Sequence, residues 1–310
     1  MLHQIIVLGA GAGGGFPQWN CNCANCQRAR AGDPLAWPAT QSSLAVSGDG
    51  GASWYLLNAS PDLRQQIAQT PQLHPRNGDR DSPISGVILT NADVDHVAGL
   101  LIMREAQPFN IYGMPRVLEA VQGNAIFKVL DSKFVSWRPL VMDRMTEIAG
   151  PTGVPSGLSA RAFPVPSKVA LWREDPEMRD FGSTAEDTIG LELTANNGKP
   201  FFYIPGCAGM RTELAERLRG AELVFFDGTT YTDNEMIALG LGSKTASRMG
   251  HMSVSGAGGS VASFKPLRVA RKIFIHINNS NPILVADSPE RKAVEAEGWE
   301  VGMDGLEVVL

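Results

Sequence analysis

No run of about 18 apolar residues, the least that spans a membrane as a helix, occurs in the 310-residue chain, so no membrane span is expected. The first apolar run, in MLHQIIVLGA, lacks the basic segment that would precede it in a secretory signal. It reads as a buried first strand. A cationic excess is missing too. Lys and Arg number 27 against 32 Asp and Glu, and the net charge of −5 gives no electrostatic reason to bind nucleic acid. Cysteine is scarce: of four, three (Cys21, Cys23 and Cys26) fall close together. A secreted disulfide framework would spread an even number along the chain, so this pattern favours a metal and a reducing, cytoplasmic setting. No internal repeat at a fixed period is present.

What is present is the composition of an ordinary globule, 44% hydrophobic and 19% charged, with enough apolar residues for a large core. Runs rich in Val, Ile, Phe and Tyr predict strands at 4–10, 42–47, 53–60, 85–90, 109–114, 200–206, 222–228, 272–277 and 305–310. Helices are predicted at 60–70 and 288–298, each opening on Ser-Pro, and at 96–106 and 211–220. The Pro-rich 71–84 and the charged 167–188 predict loops, neither long enough for a domain linker. A single domain over 1–310 is expected. Strands that alternate with helices but also occur in pairs predict an α/β protein with sheets covered by helices.

The stretch GAGAGGGFPQWNCNCANC, residues 9–26, carries two signals. Gly9, Gly11 and Gly14 spell G-x-G-x-x-G after a strand. A dinucleotide site needs a helix there to receive a pyrophosphate, and an acidic residue about 20 positions on. Pro17 and the cysteines leave no such helix, and Asp33 lies in a loop. The glycines are expected instead to turn the backbone sharply beside a ligand site. Cys21, Cys23 and Cys26 offer three of the four soft ligands of a tetrahedral structural zinc. Three buried free thiols are the alternative. Cys207 reads as a core residue.

Among five histidines, His3 and His74 have no motif around them. His96, His251 and His276 each follow or end a strand-like run. In SGVILTNADVDHVAGLL, residues 85–101, a strand ends at Thr90, and Asn91, Asp93, Asp95 and His96 crowd the next turn. Carboxylates and imidazole at a strand end, ahead of a helix, suit a metal.

That stretch resembles the T-H-x-H-x-D-H-x-x-G motif of the metallo-β-lactamase superfamily, here running from Thr90 to Gly99. NASPDLRQQI (58–67) resembles the D-x-G-P-D-x-R element of its phosphodiesterase-like members. GHMS (250–253) and IHINNSNP (275–282) resemble its later histidine motifs. With the glycine–cysteine opening, the resemblance covers nearly the whole chain. It extends to members that act in pyrroloquinoline quinone biosynthesis. It implies a four-layer αββα sandwich with metal at the strand ends between two sheets.

The departures from the motif matter chemically. A two-metal hydrolase needs both sites to generate and clamp a hydroxide. Here Asn91 and Asp93 stand at the H-x-H positions, Ser167 near the later histidine, and Gly206 at the bridging aspartate. The resemblance therefore implies that one site is lost. The other matches Asp95, His96 and His276, with Asp93 as an added or replacement ligand. Two histidines and a carboxylate form the set of non-haem Fe(II) oxygenases, and zinc suits the same residues. At the cysteine cluster, relatives supply a histidine where Asn279 stands. Asn is a poor zinc ligand, which leaves a water, His251 or another side chain to serve.

The function so implied is hydroxylation of the tyrosine ring in a Glu–Tyr cross-linked precursor of the quinone. Fe(II) is the expected active-site metal and O2 the co-substrate. Asp93, Asp227 and His251 are the candidates for proton handling or substrate orientation. Two readings stand beside it: a zinc hydrolase, and a non-catalytic carrier assisting transport of the quinone or its precursor to the periplasm. Expected partners are a small-molecule or short-peptide precursor, with a homodimer allowed for, and neither nucleic acid nor membrane.

Overall fold

The computed structural model describes residues 4–195 and 198–310. His3 lies outside the described residues. Fourteen strands lie among those residues: β1 (Gln4–Gly9), β2 (Ser43–Ser47), β3 (Trp54–Leu57), β4 (Ile84–Ile88), β5 (Phe109–Gly113), β6 (Val135–Pro139), β7 (Met145–Ala149), β8 (Pro155–Pro164), β9 (Ile189–Ala195), β10 (Phe201–Ile204), β11 (Leu223–Asp227), β12 (Arg271–Ile275), β13 (Trp299–Val301) and β14 (Glu307–Val309). They form two seven-stranded sheets, ordered β14-β1-β2-β3-β4-β5-β6 and β13-β12-β11-β10-β9-β8-β7. Each sheet is antiparallel on one side and parallel on the other. The parallel parts are β3 to β6 and β10 to β13.

Alternation along the strands explains the layering, because successive side chains face opposite sides of a sheet. Phe201, Tyr203, Phe225, Ile273 and Ile275 join one core with the first sheet. Phe202, Ile204, Val224, Phe226 and Phe274 join a second core on the other face. The helices are α1 (Ala24–Arg30), α2 (Leu63–Gln69), α3 (Val94–Val97), α4 (Pro115–Gln122), α5 (Thr212–Leu218), α6 (Glu235–Ala238), α7 (Ala246–Met249), α8 (Ser260–Phe264) and α9 (Pro289–Ala296). Leu63 of α2 and Val117 and Val121 of α4 pack into the first core. Leu214 of α5, Phe264 of α8 and Val294 of α9 pack into the second. The result is the expected αββα sandwich. Among the described residues, no helix is long and apolar enough to cross a membrane.

Several expectations change. β6, β7, β8, β9 and β13 were not legible as apolar runs. β6 and β7 are edge strands, where one row of backbone groups and many side chains stay wet; β7 has the mixed sequence MTEIA with only Ile148 buried, whereas β13 is an edge strand of three residues, WEV, too short to show a run. The helix expected at 60–70 starts at Leu63. Ser60 is not its cap; its hydroxyl donates to Gln66 Oε1 at 3.0 Å. The helix expected at 96–106 is four residues of α3 followed by a 3-10 segment, Ala98–Met103. In α9, by contrast, Ser288 Oγ caps as expected, accepting from Arg291 N at 2.9 Å.

Candidate active site

The site lies beyond the carboxyl ends of β4, β10, β11 and β12, the edge at which open α/β sheets present ligands. The turn after β4 is fixed from below. Asn58 is buried at φ +64 and accepts from Thr90 N at 2.9 Å through Oδ1. Gly99 lets the turn press against the 59–60 backbone, since a Cβ there would stand 2.2 Å from Ser60 O. Ala59 N donates to His96 O at 2.8 Å. His96 is thus held from its backbone as well as its ring.

The ring of His96 has a defined tautomer. Asn91 Oδ1 accepts from Asp93 N at 3.0 Å, which identifies it as the amide oxygen. His96 Nδ1 lies 2.7 Å from that oxygen and must donate to it. The Nε2 lone pair is left facing the site, buried and with no hydrogen-bond partner among the described residues. A histidine tethered through one nitrogen and orphaned at the other has the arrangement of a metal ligand.

His276 arrives from 181 residues further along and places Nε2 3.1 Å from Asp95 Oδ2. It sits just past β12 at φ +54, a region non-glycine residues avoid, and such strain is concentrated at functional sites. Its Nδ1 lies 2.9 Å from Thr229 Oγ1. The single Thr229 hydroxyl proton goes to Asp227 Oδ1 at 2.6 Å, so Thr229 accepts from His276 and passes the polarity on to Asp227. Ligand atoms of Asp95, His96 and His276 lie within 4.8 Å of one another. Two imidazoles and one carboxylate, with an orphaned buried nitrogen among them, fit a single divalent transition metal.

Electrostatics agree with a cation there. Burial opposes charge on Asp95, yet His96 and His276 hold its carboxyl well below the usual range. Burial pushes His96 down, toward the neutral form a ligand needs. Burial also disfavours a charged His276, but the bond to Asp95 outweighs it and raises the group.

Asp227, His251 and His276 form a second cluster of the same size. It does not read as a second metal centre. Asp227 accepts from Cys207 N at 3.0 Å, Thr229 N at 3.0 Å, the Thr229 hydroxyl, and His251 Nδ1 at 2.6 Å. Its oxygens are occupied. His251 stacks on His276 with centroids 5.1 Å apart. Gly206 lies beside His251, where a Cβ would meet Cε1 at 3.7 Å. Ser167 Oγ donates to Gly250 O at 3.3 Å, next to His251. Asp93 stands at the N-cap position of α3 and receives Asn91 Nδ2 at 3.0 Å. It is not among the grouped ligand atoms.

The cysteine cluster lies beside the same strand end. Cys21, Cys23 and Cys26 are free thiols with ligand atoms grouped within 4.8 Å. Asn279 donates into the group, with Nδ2 3.3 Å from Cys26 Sγ and 3.8 Å from Cys23 Sγ. Burial pushes the Cys23 thiol up to about 11. Cys207 is a core thiol, pushed up to about 12 by burial. His74 is incidental to the site, its Nε2 lying 3.0 Å from Ile67 O.

The glycine loop is stitched to the site. Ala12 N donates to Ile277 O and Ile277 N to Ala10 O, at 2.8 and 2.9 Å. A Cβ on Gly13 would stand 3.3 Å from Asp95 Oδ2. The helix α1 begins only after the cysteines, so the glycines do not lead directly into a helix. Two site residues escaped the sequence reading. Thr229 was signalled only by its place after a strand end. Trp172, whose Nε1 donates to Ala92 O at 2.9 Å, was hidden in a charged loop.

Comparison with known proteins shows the family. Residues 53–277 match the family described as Beta-lactamase superfamily domain. Coenzyme PQQ synthesis protein B of Gluconacetobacter diazotrophicus is 54% identical over 306 residues, covering 98% of this chain and 99% of that protein. Its namesake in Methylorubrum extorquens is 50% identical, covering 98% of each. A crystal structure of Zn(2+)-bound PqqB from Methylobacterium extorquens superposes with a TM-score of 0.93 at 48% identity, over 99% of this chain and 100% of that one. A diphosphatase of the PhnP family, at 19% identity and a TM-score of 0.68 over 100% of this chain and 98% of that one, shares the fold. The chain belongs to the coenzyme PQQ synthesis protein B family of the metallo-β-lactamase superfamily.

Proposed function

We propose that this protein is a metal-dependent oxygenase of pyrroloquinoline quinone biosynthesis that hydroxylates the tyrosine ring of a Glu–Tyr cross-linked precursor. The observation that carries this reading is the two-histidine, one-carboxylate set of Asp95, His96 and His276, with Asn91 turned from a ligand position into the anchor of His96. Iron(II) held by those three residues would supply O2 binding and activation at its open positions. The protein's own residues do the rest. Thr229 and Asp227 fix the His276 ring. His251, tied to Asp227 through Nδ1, keeps Nε2 free to take or give a proton at the substrate oxygen. A phenol and one O2 give an ortho-quinone and one water in balance. Stopping at the catechol takes two electrons and two protons from a reductant. We also propose that Cys21, Cys23 and Cys26 hold a structural zinc, a use of free thiols that suits a reducing cytoplasm.

The zinc hydrolase is the second reading, favoured by the donor set, which accepts zinc as readily, and by the Zn(2+)-bound relative. One experiment separates the two. The metal-depleted protein is reconstituted anaerobically with Fe(II) or Zn(II), given the cross-linked precursor, and exposed to O2. Hydroxylated product and O2 uptake are expected with iron alone. No O2 uptake and no hydroxylated product from the authentic precursor would sink the oxygenase reading. Unimpaired quinone production by cells carrying His96→Ala and His276→Ala would point instead to a carrier.

A further inference from the structure

A cavity of about 670 Å³ lies between the 164–185 region and the 211–214 and 247–248 segments of α5 and α7. Its size falls within the roughly 300–1,000 Å³ of small-molecule sites. It adjoins His251, which stacks on His276: Ser167 and Lys168 pack on Gly250, where a Cβ would stand 3.1 Å from Ser167 Oγ and 2.9 Å from Lys168 Cγ, and His251 follows directly. The metal-site turn is covered by the same loop through Trp172.

Three cations line this cavity: Lys168, Arg211 and Arg248. One carboxylate serves two of them. Glu174 binds Arg248 through both guanidinium nitrogens, at 3.1 and 2.9 Å, and lies 3.5 Å from Lys168 Nζ. Arg211 makes no ion pair among the described residues and has no side-chain hydrogen bond there. The other lining carboxylates, Asp180 and Glu213, are exposed to solvent, and Asp180 lies 3.5 Å from Arg179. The backbone is strained to make the arrangement. Asp180 and Phe181 adopt φ +51 and +56, which puts the Phe181 ring 4.0 Å from the Arg248 guanidinium carbon. Arg248 is clamped between a ring and a carboxylate, which fixes its orientation and balances its charge.

We propose that this cavity recognises the carboxylate groups of an aromatic, multiply carboxylated amino-acid-derived substrate, with Arg211 as the free contact beside Lys168, and with Arg248 held in place by Glu174 as part of the wall. The inference deepens the function proposed above and rests on its choice of precursor. It assigns specificity to residues far along the chain from the ligand turn.

The probe is pyrroloquinoline quinone itself, a tricarboxylate, titrated into the whole protein by calorimetry, with its trimethyl ester and inorganic phosphate as comparison ligands. Arg211→Gln should weaken binding of the acid by about ten- to a hundredfold, the range for a lost charged hydrogen bond. Arg211→Lys should recover part of it. The ester should bind weakly and alike to both proteins. The Arg211 side chain has no hydrogen-bond or ion-pair partner among the described residues, so its replacement is expected to leave the fold intact; Lys168→Gln is the second variant. Equal binding of the acid by wild type and both variants overturns the proposal. So does equal affinity for acid and ester, or displacement of the quinone by phosphate at equal concentration. No O2 or turnover enters the readout. Carboxylate-dependent binding without hydroxylation would remove the oxygenase and keep the cavity, whereas hydroxylation with KM unchanged in Arg211→Gln would do the reverse.

Discussion

Asn91 shows how a lost ligand position keeps a role. Its oxygen takes the His96 Nδ1 proton and the Asp93 amide, and its nitrogen ties down the Asp93 carboxylate. Outer contacts of this kind fix ring orientation and tautomer, and their loss typically lowers metal affinity about 10- to 100-fold. Asn91→Ala should therefore weaken metal at Asp95, His96 and His276 by that factor without touching a ligand. Competition with a chromogenic chelator measures it. Affinity equal to wild type would mean that His96 needs no anchor. Cys21, Cys23 and Cys26 lie outside the Asn91 hydrogen bonds to His96 and Asp93, so any metal they bind serves as the internal control.

The strand-to-loop passage at β1 belongs to the scale of elements. Gly9 reads as the first letter of a dinucleotide fingerprint, yet its reason is contact. A Cβ there would stand 2.2 Å from Gln41 O and 2.5 Å from Gln66 Nε2. Gln66 Nε2 itself donates to Gln41 O and Thr40 Oγ1, so neither neighbour is free to move aside. Gly9→Ala should cost about 1–3 kcal/mol, the usual range for overpacking. Urea denaturation checks it, and a neutral substitution would disprove the close approach. The apolar centres of β4, β10, β11 and β12 were legible because both faces of a parallel strand are buried. β8 was not: PSGLSARAFP buries small residues on one face, and only pairing with β7 and β9 defines it.

At the scale of the molecule, the chain's two ends are joined beneath the glycine loop. Asp304 accepts from Ala10 N at 3.0 Å, and from Thr40 N and Thr40 Oγ1 at 2.7 Å. Burial pushes its carboxyl up from 3.8 to about 6. The folded protein then binds this proton more tightly than the unfolded chain. The contribution is full below pH 3.8 and is lost as pH rises through about 6. Asp304→Asn removes the titration. Between about pH 4 and 6 the wild type should lose unfolding free energy relative to the variant, by about 1.4 kcal/mol for each tenfold difference in proton affinity between the folded and unfolded chain. Parallel stability–pH profiles for the two proteins would contradict this.

By itself the sequence determined the local terms. Apolar runs marked the central strands, thiol spacing marked the cysteine cluster, and Asp95-His96 after a strand marked the metal turn. Each rests on periodicity or spacing within one segment. The family resemblance grouped His276 with Asp95 and His96; only the tertiary structure made that contact across 181 positions, set Thr229 between His276 and Asp227, and converted Asn91 from a missing ligand into an anchor. It also gathered Lys168, Arg211 and Arg248 around one cavity. Those contacts depend on strand register and on how two sheets close over each other, and neither is encoded in the pattern of any single segment.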